Sequence, residues 1–593
     1  MDRNTVIGFV LIGLVLMLWM WMNAPQQPPP PPIHQDSTSV VTPRTESLKR
    51  QSTDIKQVVV DTLGKFFKDR GVGTEQRIVV DGELYRAQIS TRGGAITSWE
   101  LKNFKTWFGA PVNLINQDRD RDFNLLFYTS DGKIINTKNI FFEPPPSSTN
   151  NINLAEQDSA HLDFVLNINS QSRIVKSYLF SKKTYSFDVV YRFEGMENII
   201  SNYEYQVIWE NGLKYQERNS VDESNSAMAY AYAGGELTEV DASKFNEPPV
   251  KQEISGRVKW VATRNKYFGL AIIARDVESQ GAFLQGERER KPDNGAQEIY
   301  TVGLKMPFLG KPVETARFTV FLGPLNFDLV KSFDIDLDRI MSLGAAWIIR
   351  PIAQYVMMPL FNFVHLIIPN YGIVIIVFSL IIKVVLYPLT KSSMTSMRKM
   401  QALQPMMEEI REKHKDDPQK MNEQVMRLYK EYGVNPAGGC LPMILQLPIL
   451  YALWAVFRST IDLRQAPFFG WIHDLSIPDV IATLPFPIPI FNITEISGLA
   501  FFMGITMFVQ QKMSVKDPRQ KAMVWIMPIM MTLLFNSFPS GLNLYYFVFN
   551  LFSIGQQYWI NKQHKDEPLR KIEQKKNGGF LSRISKDLPR LKS

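Results

Sequence analysis

Residues 371–389, YGIVIIVFSLIIKVVLYPL, restrict this chain more than any other stretch: nineteen residues, all apolar or weakly polar except Lys383. A helix of that length, rising about 1.5 Å per residue, covers roughly the hydrocarbon of a bilayer. A cation at such depth costs about 2.5–3.5 kcal/mol on insertion scales, which makes Lys383 a candidate functional residue by default. The competing reading is that Lys383 snorkels. Lys391 lies eight residues further on, about 12 Å along a helix, and a lysine stem recovers part of that depth. This segment alone leaves both readings open, so the rest of the chain has to decide.

At 593 residues the chain is too long for one compact domain, and its 45% hydrophobic content divides unevenly. The first half is polar with alternating patterns, whereas the second carries long apolar runs. Residues 6–22 (VIGFVLIGLVLMLWMWM) exceed a usual signal-peptide core. The charged start before them is weak, and Asn23-Ala24 is a poor cleavage site. No cysteine follows for lipid attachment, so residues 1–24 read as a retained transmembrane anchor. Residues 25–70, opening with PQQPPPPP, read as an extended Pro/Ser/Thr-rich linker.

Residues 71–342 change character. Runs such as LYRAQIST (84–91), HLDFVLNI (161–168), SRIVKSYLF (172–180), YSFDVVYRF (185–193) and ARFTVFL (316–322) alternate with period two between turn signals. That pattern predicts antiparallel strands and, in such number, a large β-sandwich. Its acids are scattered, so no catalytic constellation is expected; a soluble recognition or scaffold domain is. The six histidines show no pair at ligand spacing, which predicts no metal site and no cofactor. The single cysteine, Cys440, excludes an internal disulfide and reads as a small buried hydrophobe.

Residues 343–368 are apolar but broken by Arg350, Pro351 and Pro359, and carry Trp347, Tyr355 and His365. They predict an amphipathic helix lying along a membrane interface. After the span at 369–391, residues 392–434 predict a polar helical hairpin. Met394, Met397, Met400, Leu403, Met407 and Ile410 make one apolar stripe, and Asp416-Asp417-Pro418 marks the turn. Further spans are expected at 435–459, 496–512, 522–537 and 541–560, the last two separated at Phe538-Pro539-Ser540-Gly541. The pair at 496–512 and 522–537 is short against the usual ~20 residues.

Basic residues order these spans. Lys391, Arg398, Lys399, Arg411, Lys413, Lys415, Lys420, Arg427 and Lys430 crowd the hairpin; Lys512, Lys516, Arg519 and Lys521 crowd 513–521 and its flanks, and the tail 561–593 is densely basic. The 460–495 loop has Arg464 near its start and little else of that sign. The positive-inside rule then makes the hairpin, the 513–521 loop and the tail cytoplasmic. Six spans follow, with both termini inside and the β-domain outside. None of the other spans holds an Asp or Glu to pair with Lys383, yet Ser379, Gln446, Thr506, Gln510, Thr532, Asn536, Asn543, Tyr546, Asn550, Ser553 and Gln556 are polar. A cation among uncharged polar groups fits a hydrated cavity better than a buried ion pair. The same residues can also serve as polar contacts between helices.

Several motifs resemble the YidC membrane protein insertases: NPAGGCLPMILQLPILYALW (435–454), QAPFFGWIHDLS (465–476), GITMFVQQKMS (504–514), FPSGLNLYY (538–546) and Tyr387-Pro388-Leu389-Thr390. RGGAITSWELKNFK (92–105) is similar to early strands of that family's periplasmic domain. The resemblance implies a polytopic α-helical inner-membrane protein with a five-helix core and a periplasmic all-β supersandwich. It implies an insertase and chaperone, not an enzyme, serving nascent membrane proteins alone or with the Sec translocon. A positively charged groove would open to cytoplasm and lipid, with Lys383 where the family usually has arginine. Lysine keeps the charge but not the planar five-donor fork. Ser379 and Tyr546 match further groove positions, and Leu447 and Leu450 match an apolar slide for substrate helices. Arg398, Lys399, Lys512, Lys516 and Arg519, with the basic tail, fall in regions that contact ribosomes and targeting factors; a monomer is expected.

No GxxxxGK[ST] loop is present, so the expected mechanism runs without nucleotide. A secondary transporter built around Lys383 is the main rival, but it lacks intramembrane acids and evident paired halves. An intramembrane protease lacks GxSxG and an intramembrane histidine. A pure scaffold would leave the polar core residues unexplained.

Overall fold

The computed structural model describes residues 63–119, 122–145, 151–292, 294–345, 347–434, 441–488, 493–514 and 521–563. The expected N-terminal anchor, most of the linker, Cys440, Lys516, Arg519 and nearly all of the basic tail lie outside these residues. The chain folds as two units, one ending at Met341 and one beginning at Ser342.

The first unit is built of sheets. The largest has eight strands, ordered Glu236–Val240, Met228–Ala233, Val258–Arg264, Phe268–Ala274, Val313–Pro324, Ser186–Glu194, Arg173–Ser181 and Ser159–Asn167. A six-stranded sheet runs Val250–Ser255, Gly281–Lys291, Gly295–Pro307, Ile200–Trp209, Asn124–Thr129 and Ile134–Asn136. A five-stranded sheet runs Pro111–Asn113, Ala95–Lys105, Tyr85–Ser90, Arg77–Asp81 and Asn151–Asn153, with only its last pairing parallel. The period-two alternation produces this burial. In Ser186–Glu194, Phe187, Val189, Tyr191 and Phe193 face the core, while in Arg173–Ser181 the inward set is Ile174, Lys176, Tyr178 and Phe180.

Lys176 is thus a lysine at a core position. Its ammonium donates to the carbonyls of Phe123 (2.6 Å) and Gly93 (3.5 Å) and lies over the rings of Phe123, Tyr178 and Tyr191. Burial holds its pKa well below the usual lysine value. The Gly93-Gly94 turn makes this possible: both residues have positive φ, 80° and 51°, and a Cβ on Gly94 would sit 3.3 Å from the Lys176 stem. Nearby, Asp122 is fully enclosed, and its carboxylate accepts from the amides of Glu210 and Asn211. Burial pushes its pKa up to about 7.

The second unit is helical. Ile349–Ile352 passes through a π-turn, Ala353–Met357, into α1, Met358–Ile367. Pro359 has no amide hydrogen and would clash with the carbonyl four residues back, and a widened turn relieves both. Ala353, Met357, Phe361 and Val364 are buried, while Tyr355, Phe363, Leu366 and Ile367 are exposed. The segment therefore shows apolar groups on both faces.

Helix α2, Tyr371–Val385, starts where the Asn370 side chain caps the Ile373 amide at 3.1 Å. At Leu386 the chain turns into α3, Tyr387–Ala402, and the axes of the two segments differ by 67°. Pro388 in the first turn of α3 cannot continue the hydrogen-bond ladder of α2, which accounts for the break within the expected 369–391 span. A second break falls at Leu403, before α4, Gln404–Lys413, where Pro405 does the same to the methionine stripe. Helix α5, Pro418–Glu431, begins at the expected place, with Asp417 capping the Lys420 amide. Leu403, Met407, Leu428 and Val434 form the core between α4 and α5.

The remaining helices are α6, Leu441–Ser459; α7, Gly498–Ser514; α8, Lys521–Phe535; and α9, Ser540–Gln563. Among the described residues no single helix is long and apolar enough to cross a membrane, although the bent α2–α3 pair passes that test together. Where the 460–495 loop is expected, the chain forms a two-stranded antiparallel sheet, Val480–Ile488 with Ile493–Ser497. Large apolar side chains stand exposed on several helices: Ile373, Leu380 and Val384 on α2, Phe501 and Ile505 on α7, and Trp525, Ile526 and Ile529 on α8. A helix apolar on both faces suits a surround that is itself apolar.

Candidate functional site

Helices α2 and α9 run in the same direction. Ile375 lies beside Gly541, and Lys383 lies beside Ser553. The inward face of α2 holds Val374, Ile375, Phe378, Ser379, Ile382 and Lys383, as a helical repeat of three and four requires. Lys383 is only 6% exposed. Its ammonium donates to Ser553 Oγ at 2.7 Å and sits 4.5 Å from the centre of the Phe549 ring. Among the described residues no carboxylate pairs with it. An ammonium has three donors, and here a single protein acceptor takes one of them. The side chain is turned into the helical unit, against the snorkelling reading.

The other polar residues divide into two sets. Ser379, Thr506 and Thr532 direct their hydroxyls to carbonyls of their own helices, at 2.7 to 2.8 Å. Ser553 also donates to the Phe549 carbonyl, which leaves its oxygen free to accept from Lys383. Other groups are buried without a partner among the described residues: Tyr545 Oη, Tyr546 Oη and Gln556 Oε1 on α9, and Gln511 Oε1 on α7. Gln556 also donates to Thr390 Oγ1 at 3.2 Å. Buried polar atoms without partners are rare in folded proteins and mark places where water or a polar guest belongs.

Asn536 does not join Lys383. Its side chain accepts from the Ser497 amide at 2.9 Å and donates to the Glu495 carbonyl at 2.7 Å. Asn543, ten residues before Ser553 and so about 15 Å along α9, donates to the Phe535 carbonyl in the same group. This second polar locus centres on Asp479. Its carboxylate accepts from Ser497 Oγ at 2.5 Å, Trp471 Nε1 at 3.0 Å and the Leu499 amide at 2.8 Å. It closes the N-terminal end of α7, where a carboxylate is stabilised by unpaired amides. The polar residues that look like one set in sequence form two loci, one at the start of α9 and one near its middle.

On α6, Leu447 is exposed and Gln446 and Leu450 are half-buried. Tyr546 packs its ring edge-on against Phe535. Of the basic positions, Arg398 and Lys399 lie on α3 and Lys512 in the last turn of α7. Gln401 donates to the Ser514 carbonyl, so these three cations share one end of the unit. Reading by residue type misses Ser553, Phe549 and Asp479 as special. Ser553 is one of many polar residues along the spans, and the face of α9 that meets α2 is a property of the packing.

Comparison with known proteins places both units. Residues 363–567 match the family described as 60Kd inner membrane protein, and residues 77–355 match the YidC periplasmic domain. The chain is 39% identical over 582 residues to a protein of Chloroherpeton thalassium named membrane protein insertase YidC, covering 96% of this chain and 97% of that one. It is likewise 39% identical over 572 residues to the protein of that name from Chlorobaculum parvum, covering 96% of each. Among solved structures it is similar to one titled "Active YidC insertase crystal structure with the first transmembrane domain resolved". That likeness has a TM-score of 0.35 and 20% identity, and covers 86% of this chain and 98% of that one.

Proposed function

The chain belongs to the YidC family of membrane protein insertases, and from this premise we propose that Lys383 receives the hydrophilic flank of a segment entering the bilayer. As a family member the protein is an inner-membrane insertase rather than an enzyme; it acts on nascent membrane proteins, and its β-rich unit is the periplasmic domain. The observation that carries the proposal is the buried Lys383 ammonium, with Ser553 as its one protein acceptor and no carboxylate among the described residues. Its remaining donors, together with the unpartnered hydroxyls of Tyr545 and Tyr546, suit water or the carboxylates of a client's flank.

In this reading the flank enters beside Lys383, Ser379 and Tyr546, sparing it the cost of crossing bare hydrocarbon. The adjoining apolar span leaves past Gln446, Leu447 and Leu450 on α6, with Thr506 on the neighbouring wall, and gains its transfer energy in lipid. Asn536, bonded to Ser497 and Glu495, would instead brace the end of the helical unit that faces the periplasm in this reading. The charge pattern supports six spans, both termini in the cytoplasm and the N-terminal end of α7 facing the periplasm. Arg398, Lys399, Lys512, Lys516, Arg519 and the basic tail would meet ribosomes and targeting factors, ribosomal RNA attracting them electrostatically. The Sec translocon is the proposed membrane partner. Helices α7 and α8, of 17 and 15 residues, would thin the bilayer beside the site.

Site-specific crosslinking from Leu447, Leu450 and Tyr546 to ribosome-bound nascent membrane proteins tests the route. Crosslinks that appear during synthesis support it; their absence at all three positions sinks it. For the thinning, a few leucines added to α7 or α8 should reduce insertion.

A further inference from the structure

The two-stranded sheet before α7 has an unusual surface. In Val480–Ile488, VIATLPFPI, no side chain is charged and Thr483 alone carries a polar group. A strand covered on one face alternates between buried and exposed positions, but this one does not. Val480, Ile481, Ala482 and Thr483 are all exposed in succession, as are Pro485, Phe486 and Pro487. Ile481 is 48% exposed and Phe486 65%. Both faces are apolar and neither is covered, an arrangement that invites aggregation in water.

The base of the hairpin is held firmly. Its second strand ends at Ser497 and α7 begins at Gly498 with no residue between. Asp479, just before the first strand, binds the Leu499 amide, Ser497 Oγ and Trp471 Nε1, and its carbonyl accepts from the Gly498 amide at 3.0 Å. A Cβ on Gly498 would lie 2.8 Å from the Ile481 side chain, so strand and helix are in direct contact. Strand and α7 are therefore tied at their junction. Exposed apolar side chains also stand on α7, at Phe501, Phe502, Ile505 and Val509, and Trp471 at the hairpin's base meets the Phe502 ring at 6.3 Å.

We propose that this hairpin lies in the headgroup–acyl boundary of the periplasmic leaflet and acts as an interfacial anchor that sets the depth of α7. The proposal rests on the reading of α7 as a membrane span. Lipid is the occupant because the hairpin's exposed apolar side chains adjoin, through Ile481, Trp471 and Phe502, those exposed on that helix. Exposed Phe469 and Trp471 beside the base are side chains that favour the interface. The depth follows from the backbone. A two-stranded sheet leaves unpaired amides and carbonyls along both edges, which hydrocarbon cannot satisfy, so the hairpin stops at the level of water and headgroups. Exposed Glu495 on the second strand fits that level as well.

The test uses the full chain with Cys440→Ser and a single environment-sensitive fluorophore on Phe486→Cys, reconstituted in phosphatidylcholine–phosphatidylglycerol vesicles. The vesicles carry lipids spin-labelled either near the headgroup or deep in the acyl chain, and Ile505→Cys reports on α7. The expected result is several-fold stronger quenching at position 486 by the shallow label, and stronger quenching at 505 by the deep one. Val480→Cys should behave like Phe486→Cys. Quenching at 505 but by neither lipid at 486 and 480 would mean that protein or water covers the hairpin; it would overturn the anchor and leave the span. Stronger deep than shallow quenching at 486 would overturn the interfacial depth. No quenching at 505 would overturn the span and the anchor with it.

Discussion

Each unit buries a lysine against aromatic rings without a carboxylate partner among the described residues, and the two lysines differ in what surrounds the ammonium. Lys176 has two backbone carbonyls and three rings around it. Lys383 has one hydroxyl and one ring, with several unpartnered polar atoms elsewhere on α9. The first is a closed arrangement in which the protein itself supplies acceptors, as a structural group requires. The second leaves two donors over, against one at Lys176, as a receiving site requires. Burial alone does not distinguish a functional cation from a structural one; the count of acceptors does.

The sharpest way to break this comparison is to remove each lysine. Lys176→Ala should lose about 3–5 kcal/mol, from the cavity and two orphaned carbonyls. Lys383→Ala also leaves a cavity but orphans no carbonyl, so it should cost clearly less, and urea denaturation followed by tryptophan fluorescence reads both. Equal losses would erase the distinction.

The enclosed Asp122 extends the contrast to pH. An unfolded aspartate ionises near 3.8, whereas folded Asp122 keeps its proton up to about 7. Its contribution is therefore complete below about pH 4 and is lost as pH rises through 7, on the order of 4 kcal/mol. Asp122→Asn should flatten the fall of thermal stability between those limits. An unchanged slope would assign the dependence to other groups.

Charge reversal at the open site comes next in size. Lys383→Glu should reduce insertion of clients with acidic flanks about tenfold, equivalent to about 1.4 kcal/mol, while Lys383→Arg inserts them normally. Equal insertion by both variants, measured in proteoliposomes, would return Lys383 to a passive role. The smallest effect is expected from Ser553→Ala. Water replaces the lost acceptor, and insertion should fall only about two- to threefold. A loss as large as that of Lys383→Glu would mean that Ser553 positions the cation.

Much of this organisation is legible along the chain. Period-two runs announce the sheets, and Asp417-Pro418 and Asn370 announce helix starts. Pro388 and Pro405 break the helices without breaking the pattern, because an apolar stripe continues across each of them. The pairing of Val480–Ile488 with Ile493–Ser497 is hidden because the first strand lacks the alternation that a covered face imposes.

Local order and family membership follow from the sequence by itself, since alternation, capping residues and motif spacing are properties of neighbouring positions. Two separate polar loci, at the start and near the middle of α9, Ser553 as the acceptor for Lys383 and Asp479 as the clamp on α7 were decided by tertiary structure. Each depends on which helix faces meet, and packing between distant segments sets that choice. A lysine in an alternating strand and a lysine in an apolar run look equally anomalous in one dimension. Only the folded chain brings carbonyls to Lys176 and leaves Lys383 with donors to spare.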